Sequence, residues 1–242
     1  MSNFDLHCHP TFKQMLRLPE QRNDGWECIY VMKDKNGYAM TNSQSCYPQL
    51  LEGRVNLICL ALHPLEVAFS ETFILKILSN TLNAINRLQI KGIRNSKVGF
   101  TYSDLLGQEI DNVVTNTSSE QFPGKKAKII QSIKEYNRNS EDTLHIILTI
   151  EGGHSFYYGR NQSKNLEKIK DKVYFFKKSK IYRLLYITLT HLTQTIFSNH
   201  AYSMKVFSQK KFVPVGDGLR KEGNLFIDWC SDKKEGRRIL ID

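Results

Sequence analysis

The 242 residues carry 34 Lys and Arg against 24 Asp and Glu, a formal charge of +10, with 40% hydrophobic and 24% charged positions. Such a balance allows a full hydrophobic core in a single domain over 1–242 and excludes a disordered or low-complexity chain. No basic start leads into an apolar signal core, and the longest apolar run, VNLICLAL at 55–62, is too short to cross a bilayer. The expectation is a soluble, cytoplasmic protein with no membrane partner.

The first predicted element is FDLHC, 4–8. Strand periodicity places Asp5, His7 and His9 on one face and Cys8 on the other. A polar stretch over 11–46 follows, rich in Asn, Ser, Gly and Gln, and reads as a long loop or insertion. VNLICLAL, 55–62, is the second strand and ends at His63. Helical spacing of Phe73, Ile74, Ile77, Leu78, Leu82, Ile85 and Leu88 predicts a helix over 71–89. A second polar stretch, 91–123, again reads as an insertion, and Ile129, Ile130, Ile133 and Tyr136 predict a helix over 125–137. LHIILTI, 144–150, is the third strand and delivers Glu151 into Gly152 and Gly153, with His154 next. Leu166, Ile169, Val173 and Phe176 predict a helix over 165–177, LLYITLT at 184–190 a strand that ends before His191, and Leu219, Leu225, Phe226 and Trp229 a helix over 218–233. RRILID, 237–242, is the fifth strand.

Each strand candidate is a nearly continuous apolar or β-branched run, as in a parallel sheet covered on both faces. Strands alternating with helices predict an α/β crossover fold. Lysines fall in helical stretches such as KNLEKIKDKVYFFKKSK, 164–180, between apolar residues of helical period, so they read as a solvated face and nucleic acid is not the expected partner. The five cysteines, Cys8, Cys28, Cys46, Cys59 and Cys230, are odd in number and form no C-x-x-C pair. Reduced thiols are expected.

The histidines cluster by topology. His7 and His9 end the first run, His63 the second, Glu151 and His154 follow the third, and His191 follows the fourth, while His145 and His200 stand apart. In a parallel sheet or β/α barrel the carboxyl ends of the strands converge on one mouth, where chemistry sits. Two imidazoles at i and i+2 on one strand face can share a divalent ion, and a carboxylate at the end of a buried strand needs a cation or tight hydrogen bonding. Oxygen and imidazole donors together suit zinc, manganese or iron(II). His63, His154 and Asp5 are candidates for substrate contact or for support of the ligands.

Three stretches carry a resemblance: TIEGGHSF around Glu151, LLYITLTHLTQTIFSN at 184–199, and LLEGRVNLICLALHP at 50–64. With GDGLRKEGNLFIDWCSDKKEGRRILID, 216–242, they run in the order found in the membrane (renal) dipeptidases, zinc peptidases of the amidohydrolase-type β/α barrel group, which the chain resembles over nearly its whole length. The resemblance implies a TIM-type (β/α)8 barrel and hydrolysis of dipeptides or related small amides. It further implies a binuclear site of two zinc ions bridged by Glu151, with His7 and His9 on one ion and His191 touching the scissile carbonyl. The family shows H-x-D where this chain has His7 and His9. A closed barrel needs eight strands, whereas five are read here, so an incomplete barrel of about five β/α units is expected, as a fragment, an interrupted gene product or a chain whose site some other chain completes, and a homo-oligomer is among the partners considered. The rival readings are an H-x-H barrel phosphoesterase or TatD-like nuclease, and a non-catalytic degenerate barrel fragment with a basic surface.

Overall fold

A computed structural model describes residues 3–12, 24–29, 42–70, 101–158, 165–201, 213–216 and 218–242. The helix expected over 71–89 lies outside them, as do parts of both polar stretches. Six parallel strands form one sheet: β1 (Asn3–Cys8), β2 (Val55–Leu62), β3 (Lys126–Ile129), β4 (Thr143–Glu151), β5 (Leu184–Thr188) and β6 (Leu240–Ile241). The order is β1-β2-β4-β5-β6, with β3 on β4. β2 occupies one edge of β4 along His145–Ile150. The other edge is divided: β3 takes Thr143–Ile146 and β5 takes Leu148–Glu151.

β3 corrects the helix expected over 125–137. The apolar spacing there fits a helix, but Lys126–Ile129 meets the unpaired lower edge of β4, and ladder hydrogen bonds outweigh a weak local preference. Only a 3-10 turn, Ile133–Glu135, follows, capped by Ser132. The second polar stretch needs the opposite correction, because 102–115 is a helix and not a loop. Among the described residues the helices are α1 (Tyr47–Glu52), α2 (Val67–Ser70), α3 (Tyr102–Thr115), α4 (Leu166–Lys178) and α5 (Lys221–Ser231). Thr101 caps α3 by accepting from Asp104 N, and Leu105, Leu106, Ile110 and Val113 are its buried stripe.

One parity of the sheet builds the core. Ile58, Leu60 and Leu62 of β2 and Leu144, Ile146, Leu148 and Ile150 of β4 pack with Leu106 and Ile110 of α3, Val173 and Phe176 of α4, and Phe226 and Cys230 of α5. Each such side chain contributes about 1.5–3 kcal/mol by leaving water. The opposite parity carries Cys59, Ala61, Thr149, Glu151, Tyr186 and Thr188, and this face is concave. β1 and β5 are three strand spacings apart, about 14 Å in a flat sheet, yet the Tyr186 hydroxyl donates to the Leu6 carbonyl at 2.9 Å. One tyrosine cannot span a flat sheet, so the strands curl into a half-barrel. No helix among the described residues is long and apolar enough to cross a membrane.

The thiol expectation is corrected for one pair: Cys28 and Cys46 form a disulfide with Cα atoms 5.4 Å apart. Cysteine spacing in sequence holds no sign of it. Packing creates it, because Trp26 lies edge-on to Tyr47 and Tyr47 N donates to the Gly25 carbonyl, which lays 24–29 along the start of α1. Cys8, Cys59 and Cys230 are free and buried.

Candidate metal centre

The register sets Cys8 level with Leu60 and Leu60 level with Leu148, so β4 runs three residues beyond β1, and the side chains of His7 and His9 reach Glu151 at its end. A register shift between Asp5 and Cys8 loosens the end of β1, where Asp5 turns back to accept from His7 N at 2.9 Å. Cys8 faces the core, leaving His7 and His9 toward the concave side. Their Nε2 atoms lie 3.1 Å apart. His7 Nε2 is 3.4 Å from Glu151 Oε1, and His9 Nε2 is 3.1 Å from Glu151 Oε2.

The hydrogen-bond partners decide which ring atoms carry protons. His9 Nδ1 sits 2.8 Å from the Ala61 carbonyl, which only accepts, so the proton is on Nδ1. His7 Nδ1 lies 3.1 Å from the Tyr186 hydroxyl, whose own proton goes to Leu6 O, so this Nδ1 is the donor as well. In the neutral rings both Nε2 atoms therefore point bare lone pairs at a carboxylate. Among the described residues nothing donates a hydrogen bond to Glu151 Oε2, which is buried. The separations of 3.1, 3.1 and 3.4 Å involve both oxygens of Glu151, and one donor atom from each of His7, His9 and Glu151 lies within 4.8 Å of the others, a grouping able to hold a metal ion. Imidazoles whose far nitrogens are tied to oxygen acceptors are also the arrangement that orients metal ligands.

Electrostatics point the same way. Burial pushes the Glu151 carboxyl upward, but His7 and His9 beside it, with His191 and His63 near, hold it far below the usual carboxylate range. A second proton, on His7 Nε2, gains a hydrogen bond to Glu151, which raises His7 against burial. The cluster concentrates a fixed negative charge that a proton or a cation must answer.

A second tier surrounds this trio. His63 Nδ1 is 3.7 Å from Glu151 Oε2 and 3.2 Å from the Glu151 carbonyl. Burial, with His154 and His191 nearby, drives His63 down to about 3, so it is neutral. His191 Nε2 is 3.7 Å from Glu151 Oε1, and its ring centroid is 4.3 Å from that of His63. His63, Glu151 and His191 thus form a second group able to hold an ion, sharing Glu151 with the first. His154 lies behind: its Nε2 donates to the Pro64 carbonyl at 2.9 Å, and its ring packs on His63 and Tyr102. His145, at the amino end of β4, bonds the Asn56 carbonyl and packs on Tyr136. It is six residues from Glu151, about 20 Å along the strand.

Three residues at the mouth escaped the sequence reading. Tyr186 carries His7, but its inward parity is visible only once β5 is placed. Glu66, in the loop after β2, holds His191 through Nδ1 at 3.3 Å. Glu109 of α3, fully buried, accepts from Thr11 Oγ1 at 2.6 Å and from His63 N at 2.9 Å. Glu66 had a detectable signal, since HPLEVAF sets a carboxylate among apolar residues just past a buried strand, as TIEGG does. A cavity of about 360 Å³ beside the mouth has Glu66, Tyr102, His154, Tyr157 and Thr193 in its wall. A larger one of about 490 Å³ lies at the amino ends of the strands, around Arg54, Asn56 and Arg138, away from the histidines. No family model matches the chain, and no curated protein matches it.

Proposed function

We propose that the chain is a metal-dependent hydrolase of dipeptides or related small amides on a (β/α)8 barrel plan, with its first divalent ion held by His7, His9 and Glu151. The observation that carries the reading is the Glu151 carboxylate, with Oε1 facing His7 Nε2 and the buried Oε2, orphaned among the described residues, facing His9 Nε2, while both rings commit their protons elsewhere. Zinc suits that donor set, with manganese or iron(II) as alternatives. A second ion would be held by His63 and His191, with Glu151 shared between the two groups. A bound divalent ion supplies a Lewis acid and a water acidic enough to attack an amide near neutral pH. The chain's own residues hold the ions, place the His191 ring at the mouth for the substrate carbonyl, and keep His63 neutral between Glu151 and the buried His154.

The small amide is favoured over a phosphate ester by the cavity wall. Among the described residues no lysine or arginine lines it, whereas a phosphate needs cationic or N–H partners beyond the metal. Its volume is that of a small-ligand site. The formal charge of +10 keeps one rival alive, a phosphoesterase or nuclease, and one panel separates them. The full chain, loaded with zinc or manganese, is offered dipeptides, single-stranded DNA and a phosphate monoester. Turnover of dipeptides that vanishes in Glu151→Gln supports the reading, and turnover of DNA or monoester alone replaces it. A chain that neither binds zinc nor gains thermal stability from it is a non-catalytic fragment. Cytoplasmic residence, expected from composition, requires Cys28 and Cys46 to be reduced in cells. Thiol counting on protein alkylated at lysis checks this: five reactive thiols on unfolding fit the cytoplasm, three an oxidising compartment.

A further inference from the structure

Glu66 is 2% exposed, yet carries a carboxylate. Its hydrogen-bond partners among the described residues all come from 191–193: Oε1 accepts from Thr193 N at 3.2 Å and Thr193 Oγ1 at 2.7 Å, and Oε2 faces His191 Nδ1 at 3.3 Å. The loop after β2 thus reaches across to the loop after β5 through this side chain. Burying a carboxylate there is costly unless its bonds return something. An apolar residue would tie the two loops together more cheaply, so clamping alone does not explain Glu66.

We propose that Glu66 is a positioning residue for His191, fixing the proton on Nδ1 and thereby committing Nε2 to the mouth. The proposal rests on the hydrolase reading for its catalytic meaning, not for its geometry. A carboxylate only accepts, so Nδ1 keeps its proton whether the ring is neutral or charged. Whatever proton His191 exchanges is then the one on Nε2, the atom 3.7 Å from Glu151 Oε1. Thr193 makes the arrangement rigid, because its two donors saturate Oε1 and leave Oε2 for the ring. The same two donors give Glu66→Gln a definite outcome. The amide oxygen stays on Thr193, the amide NH₂ turns to His191 and donates to Nδ1, and the ring proton is driven to Nε2. The clamp survives while the tautomer inverts.

The test is ring-nitrogen NMR on the full chain labelled with ¹⁵N-histidine, in the pH range where His191 is neutral, with His191→Gln used to assign its signals. The expected result is an Nδ1–H ring in the wild type and an Nε2–H ring in Glu66→Gln, with Thr193→Val retaining the wild-type tautomer. A wild-type ring protonated on Nε2 overturns the proposal even where Glu66→Gln fails to fold, and an unchanged tautomer in a folded Glu66→Gln overturns it as well. Zinc titration of the same samples keeps the two readings apart. Wild-type protein that binds no zinc sinks the hydrolase and leaves the tautomer result standing. Where the hydrolase holds, Glu66→Gln lowers kcat by roughly 10–100-fold, with zinc affinity at His7, His9 and Glu151 within about threefold of wild type.

Discussion

Glu151 sits where the imidazoles of His7, His9, His63 and His191 converge, and replacing it by glutamine removes charge while keeping shape. Zinc affinity, read by isothermal titration, is expected to fall by on the order of 100-fold or more, beyond the 10–100-fold that supporting partners of a metal ligand are worth. The buried groups nearby set a pH dependence for the metal-free protein. His63 is held neutral, with its folded value at about 3 against an ordinary 6.5. Its unfolded form takes up a proton first, so its contribution is present above 6.5 and lost as pH falls toward 3. Glu66 is raised by burial but held at about 2, against an ordinary 4.5, by its bond to His191 and by the imidazoles around it. Its contribution is present above 4.5 and lost as pH falls through about 2. His7, raised, runs the other way: its stabilisation is present below 6.5 and lost as pH rises through its folded value. Urea midpoints measured between pH 6.5 and 4.5 isolate His63 from Glu66. There His63→Asn is expected to remove up to about 1.4 kcal/mol per pH unit from the slope.

At the scale of elements, the end of β4 depends on one glycine. Gly152 has φ +86°, and a Cβ there would collide with the His154 ring. Gly152→Ala therefore adds backbone strain of about 1–3 kcal/mol to the displacement of a buried imidazole. The expected outcome is a lower thermal midpoint together with weaker zinc binding, since the Glu151 carbonyl next door is also the partner of His63 and Ser155. A variant that loses stability but binds zinc as before would separate the turn from the site. The same scale shows where local pattern misleads. Lys126–Ile129 looks helical by spacing and becomes a strand because β4 has a free lower edge. α3 looks like a polar insertion because Gly107, Glu109 and Asn112 dilute its stripe, although Thr101 and Asp104 form a capping pair that marks its start.

Across the whole molecule, the half-barrel leaves two edges. β1 pairs only with β2 and β6 only with β5 among the described residues, and Phe4, Leu6 and Leu240 are exposed there by 64%, 64% and 58%. Unprotected parallel edges with apolar side chains favour association. The full chain is expected to self-associate in solution, and Phe4→Lys to shift light-scattering mass on a sizing column toward 28.1 kDa without altering zinc affinity. A wild-type chain already monodisperse at that mass would show the edges to be covered.

The amino-acid pattern by itself determined five of the six parallel strands, the helices α4 and α5, and the strand ends at which His7, His9, His63, Glu151 and His191 gather. Continuous apolar runs and a carboxylate before two glycines are local signals that hold in any fold that buries them. Tertiary structure alone decided the rest. The curl of the sheet brings Tyr186 to His7, the packing of Trp26 on Tyr47 joins Cys28 to Cys46, and the crossing of two loops places Glu66 behind His191. Each depends on the distance between segments far apart in the chain, which no local periodicity encodes.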